Sequence, residues 1–141
     1  MPSAKASVDI NLQPDELWQV IGGFGSLPDW IPDVCQSRLA DGGRVRYLHD
    51  PIGRTFVEKL EHYDAAARSY SYSIVESPIA VSDYLATIAV TPIKGGRESH
   101  VEWSTRFTPA GISEQQAREN FEGIFSSGIK ELASRYNGEA R

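Results

Sequence analysis

The sequence predicts an α+β fold in which a curved, seven-stranded antiparallel sheet wraps a long C-terminal helix. Residues 113–136 repeat apolar side chains every three or four positions, the period of an amphipathic helix. The stretch before them breaks into segments of alternating polarity separated by glycine-rich turns. Those connections are too short for parallel crossovers, so successive strands are antiparallel neighbours. A long helix with one apolar face needs a sheet to lie on. Aromatic side chains turned inward between the two favour an internal ligand cavity.

In chain order, residues 4–12 alternate, with Ala6, Val8, Ile10 and Leu12 on one side and Ser7, Asp9 and Asn11 on the other. That is a half-buried strand. Gln13-Pro14-Asp15-Glu16 opens a short helix, since proline suits the first turn and acids favour the positive end. Leu17, Trp18 and Ile21 form its buried side, and Gly22-Gly23-Phe24-Gly25 ends it. Residues 27–32 leave room for one more helical turn, giving a shaped cap with two exposed aromatics, Phe24 and Trp30. Strands follow at 34–40, 44–49, 54–63, 69–76, 82–91 and 99–108, with turns at 41–43, 50–53 and 94–96. Val101, Trp103, Thr105 and Phe107 share one face of the last strand, and Tyr84, Ala86, Ile88 and Val90 one face of the strand before it. Tyr70, Tyr72 and Ile74 do the same a strand earlier, which sets Tyr72, Tyr84 and Trp103 against the terminal helix. Ser113 and Gln116 start that helix as a capping box, and Asn137-Gly138 stops it. Gly123 and Gly128 lie inside it, each costing roughly 1 kcal/mol relative to alanine, which predicts close backbone approach or space left open.

Composition narrows the function. A chain of 141 residues is one domain with a real core. Its net charge of −5 and its scattered 14 lysines and arginines exclude nucleic acid as a partner. No apolar stretch approaches the roughly 20 residues of a membrane span, and no signal-peptide pattern opens the chain. The lone cysteine, Cys35, excludes an internal disulfide and fits the cytoplasm. It reads as filler in or beside a strand; a reactive thiol is the minor alternative, with no histidine nearby in sequence. His49, His62 and His100 are scattered, so no metal is expected. Gly23-Phe24-Gly25 begins like a dinucleotide loop, but Pro28 holds the third glycine's place and the segment follows a helix. No cofactor is expected.

Several words of the chain together resemble the START-like, Bet v 1-type helix-grip (SRPBCC) superfamily, and within it the bacterial polyketide cyclase/dehydrase and lipid-transport group. They are Pro14-x-x-x-Trp18, Phe24 with Trp30-x-Pro32, Gly42-Gly43 before Arg46, Glu58, Tyr70-x-Tyr72, Pro78 and Tyr84, and Val101-Glu102-Trp103 leading to Phe107. The likeness covers about residues 4–136 of a single domain spanning 1–141. It implies a deep cavity between sheet and helix, closed at one end by two short helices. It also implies a hydrophobic or aromatic small molecule as partner, with cyclisation or dehydration in some members.

Candidate site residues come from the strand faces. In residues 54–63, Phe56 and Leu60 share a face with Glu58 and His62; in 44–49, turning Leu48 inward brings Arg46 with it. A buried carboxylate and guanidinium are each very costly alone, so a Glu58–Arg46 pair across neighbouring strands is the natural hypothesis. The alternatives are a solvated pair on the outer face, or a phase of 44–49 that buries Val45 and Tyr47 instead. Tyr72 and Tyr84 either orient a ligand's polar atom or are core tyrosines. Trp103, Phe121 and Phe125 line or fill the cavity, and Phe24 and Trp30 either gate its open end or plug it. The leading expectation is a binding protein for an apolar or aromatic molecule with one polar end, as monomer or homodimer. The rival is a cyclase or dehydratase in which Glu58 is the acid or base and Arg46, Tyr72 or Tyr84 stabilises an oxyanion. A third possibility, an interaction module with a solid core, has no cavity of ligand size.

Overall fold

The computed structural model describes residues 2–31, 34 and 36–137. Pro32, Cys35 and Gly138, and the readings made on them, lie outside the described residues. Seven strands, β1 (Ser3–Ile10), β2 (Gln36–Ala40), β3 (Val45–His49), β4 (Thr55–Asp64), β5 (Ser69–Glu76), β6 (Val81–Ile93) and β7 (Glu98–Pro109), form one antiparallel sheet. Its order is β1-β7-β6-β5-β4-β3-β2. Short connections make β2 to β7 a meander. β1 instead pairs with the last strand, so the chain must cross from one sheet edge to the other before β2. Helix α1 (Pro14–Ile21) and a single 3-10 turn at Leu27–Asp29 make that crossing and close one end of the sheet.

Two hairpin connections use one backbone solution. Asp41-Gly42-Gly43 has φ values of 52, 67 and 90°, and Lys94-Gly95-Gly96 has 52, 68 and 87°. A Cβ costs roughly 1–2 kcal/mol in this left-handed region, hence the paired glycines.

Helix α2 (Glu114–Tyr136) begins with the expected capping box. The Gln116 N–H donates to Ser113 Oγ at 3.1 Å, and the Ser113 N–H donates to Gln116 Oε1 at 3.2 Å. The helix packs on β1 and β7 and buries Ala117, Phe121, Phe125, Gly128, Ile129 and Leu132. Its two glycines differ. A Cβ on Gly128 would stand 3.0 Å from Trp30 Cζ3 and 3.2 Å from Ile31 Cγ1, whereas one on Gly123 would meet nothing within 4 Å. Close approach accounts for Gly128 alone. Gly123→Ala is therefore expected to raise stability by about 0.4–1 kcal/mol, and Gly128→Val to lower it by about 1–3 kcal/mol. Urea unfolding midpoints read both.

Alternation is interrupted where the sheet bends. Leu60 pairs with Tyr72 but His62 pairs with Ser71, so a β-bulge at this point shifts the phase of β4. His62 is consequently exposed rather than sharing the inner face with Glu58, and Tyr63 comes opposite Tyr70. Trp18, expected on the buried side of α1, is half-buried, with its ring 5.8 Å from Tyr63 and 6.2 Å from Tyr70.

Candidate functional site

The open phase of β3 resolves inward: Arg46 and Leu48 are buried, while Val45 and Tyr47 are half-buried on the other face. Arg46 and Glu58 stand opposite each other in the β3–β4 register and are 0% and 5% exposed, which rules out the solvated outer-face pair. Arg46 Nε donates to Glu58 Oε1 at 2.8 Å. Nη2 lies 2.7 Å from the same oxygen but off hydrogen-bond alignment, so charge alone holds it there. Nη1 donates to the Phe24 carbonyl at 2.9 Å and to the Tyr70 hydroxyl at 3.2 Å. The Phe24 and Tyr72 rings lie 4.2 and 4.5 Å from the guanidinium carbon. With two Arg46 nitrogens on Oε1, Glu58 Oε2 has no hydrogen-bond partner among the described residues.

A cavity of about 310 Å³ lies between sheet and α2. That is near the lower end of the roughly 300–1,000 Å³ usual for small-molecule sites. Glu58, Tyr72, Tyr84, Trp103, Phe121 and Phe125 form its inner wall. Leu27, Ile31, Leu48, Phe56 and Ile124 extend that wall, and residues 49–52 and 54 line the mouth. Trp103 stacks on Phe125 at 4.3 Å, and Tyr84 packs against Phe121 at 5.0 Å. The Trp103 indole N–H donates to the Tyr72 hydroxyl at 3.0 Å, which leaves that hydroxyl its own proton to donate.

Burial raises the Glu58 pKa above its ordinary value, and Arg46 pulls it only part of the way back. Burial likewise raises Tyr72 and Tyr84, with the Glu58 charge adding to both, so both hydroxyls stay protonated. Burial works to lower Arg46, but Tyr70, Glu58 and Tyr72 outweigh it and hold the guanidinium charged. The linkage has a definite sign. A carboxyl whose folded pKa exceeds its unfolded one binds its proton more tightly when folded. Stability should therefore fall as pH rises from about 4.5 through the higher folded value, and Glu58→Gln should lose that part of the slope. Urea unfolding across this pH range measures it; an unchanged slope in the variant rules the coupling out.

Six of the residues expected at the site meet on the cavity wall. Arg46, Phe24 and Trp30 do not line it. Arg46 is wholly buried and paired with Glu58, which does line the cavity. Phe24 and Trp30 are 7% and 0% exposed, not the surface aromatics the cap composition suggested. Glycines and prolines let the cap fold inward, where Phe24 covers the guanidinium and Trp30 packs 5.6 Å from Trp103 and against Gly128. The reading of single faces missed the Tyr70 hydroxyl as a partner of Arg46, although alternation already put Tyr70 beside Tyr72. It also missed the wall from Leu27 and Ile31 and the mouth at 49–52 and 54, which carry no sequence signal beyond being apolar or turn-like.

No helix among the described residues is long and apolar enough to cross a membrane. A curved antiparallel sheet gripping a long C-terminal helix, with a cavity between them, defines the START-like helix-grip fold. The chain belongs to the family described as polyketide cyclase / dehydrase and lipid transport, which matches residues 1–137. It is 43% identical to the protein XoxI from Bacillus cereus, covering 98% of this chain and 97% of that one at a TM-score of 0.95. The fold is shared with the Zhui aromatase/cyclase from Streptomyces sp. R1128, at 14% identity, 99% and 95% coverage and a TM-score of 0.77. It is also shared with a START superfamily protein from Mycobacterium smegmatis, at 10% identity, 96% and 97% coverage and a TM-score of 0.76. No curated protein matches the chain.

Proposed function

We propose that the protein binds a small hydrophobic or aromatic molecule in the cavity between sheet and α2. The carrying observation is an inner wall of Tyr72, Tyr84, Trp103, Phe121 and Phe125 around unfilled space of about 310 Å³. Each Å² of apolar ligand surface removed from water contributes about 25 cal/mol, so the wall supplies affinity and Glu58 and the tyrosine hydroxyls supply orientation. Arg46 acts through Glu58, holding its carboxylate in place. A lone cysteine suits the reducing cytoplasm, the compartment this reading assigns.

The buried carboxyl with a raised pKa favours one rival, a cyclase or dehydratase in which Glu58 moves a proton beside Tyr72 and Tyr84. Binding and catalysis separate on Glu58→Gln. A binding protein yields an apolar small molecule by native mass spectrometry when purified from its own source, and the variant changes affinity only. In an enzyme, turnover disappears while affinity survives. Adduct-free protein that ignores a broad panel of apolar and aromatic compounds sinks both.

A further inference from the structure

Resting on the binding reading, we infer that the cavity selects an apolar ligand whose polar end is a neutral hydroxyl, and discriminates against both carboxylates and ammonium groups. Two observations carry this. The first is an unused acceptor: Glu58 lines the cavity, its Oε1 is taken by Arg46, and Oε2 has no hydrogen-bond partner among the described residues. A carboxylate oxygen in that position asks for an O–H or N–H donor and repels another carboxylate.

The second is the charge balance. Arg46 is wholly enclosed and does not line the cavity, so it is not an anchor for an acidic ligand. It already neutralises Glu58 across 2.7 Å. The inner end is therefore a net-neutral pair, and any ligand bringing a full charge adds one uncompensated charge to a desolvated space. The other ionisable groups on the cavity lining are His49, Asp50 and Arg54 at the mouth, where Arg54 Nε pairs with Asp50 Oδ2 at 2.6 Å and leaves no net charge between the two. Tyr72 and Tyr84 complete the inner wall with hydroxyls, which suit a neutral polar ligand atom that both donates and accepts.

Four probes sharing one ring system test this on the folded protein: naphthalene, 2-naphthol, 2-naphthoate and 2-naphthylmethylamine, titrated at neutral pH by calorimetry or by displacement of a fluorescent apolar dye. The naphthol should bind about tenfold or more tightly than either charged probe, and more tightly than naphthalene. In Glu58→Gln, which removes the negative charge and leaves Arg46 uncompensated, 2-naphthoate should rise in the ranking to match or exceed the naphthol. The wild-type ranking decides by itself if that variant does not fold. Equal affinities within about twofold, or a preference for the naphthoate or the amine, overturn the hydroxyl selectivity and leave the binding reading standing. Absence of binding by all four, naphthalene included, overturns the binding reading and this inference together.

Discussion

Arg46→Met is expected to lower stability by about 3–5 kcal/mol at neutral pH, because it strands the Glu58 carboxylate in an apolar interior. Glu58 is 5% exposed, and its Oε1 would lose a 2.8 Å hydrogen bond together with its counter-charge. Nothing else cationic stands within salt-bridge distance of it among the described residues. The loss should shrink as the solution is acidified, since a protonated Glu58 no longer needs the guanidinium. The sign follows from the two folded pKa values: the penalty is absent where Glu58 is protonated in both proteins, grows as pH rises through the parent's raised value, and is full only above the still higher value that Glu58 takes without Arg46. Adding Glu58→Leu removes both charges together and should recover most of the stability, as replacing whole buried pairs does elsewhere. Urea unfolding of the two single variants and the double variant at neutral and acid pH completes the cycle. A cost below about 1 kcal/mol for Arg46→Met, or a double variant that simply adds the single losses, contradicts the paired arrangement.

Phe125→Ala should cost about 3–5 kcal/mol, the usual range for removing a buried aromatic ring. The ring is 1% exposed and stacked on Trp103 at 4.3 Å, so its loss removes packing on α2 and on β7 at once. The space it vacates opens directly into the existing cavity, because Phe125 is part of the wall. The variant should therefore accept bulkier apolar probes than the parent, even as its urea midpoint drops. A loss under about 1 kcal/mol with an unchanged size limit for ligands would show that this ring is not part of the wall.

Strand faces, the helix and its cap were legible in the residues because they depend on local periodicity. Alternation alone paired Glu58 with Phe56, Arg46 with Leu48 and Tyr70 with Tyr72, and a three-to-four spacing put Phe121 and Phe125 on one stripe. His62 escaped because a β-bulge is a property of two strands together: the phase shift arises where β4 meets β5. Phe24 and Trp30 were misplaced for a related reason. Glycines and prolines mark an irregular cap without saying which way its rings turn. The direction was set by Arg46, which takes the Phe24 carbonyl at 2.9 Å, and by the room at Gly128 for Trp30.

By itself the sequence determined the order of elements, the antiparallel connections, the buried stripe of the terminal helix and an acid–base pair able to meet across two strands. Only the tertiary structure decided that Arg46 is buried beside Glu58 while Glu58 lines the cavity, and that Phe24 and Trp30 pack inward instead of lying on the surface. The division has one cause. Periodicity is written in neighbouring residues, whereas enclosure depends on which distant surfaces arrive at the same place, and no local pattern encodes that.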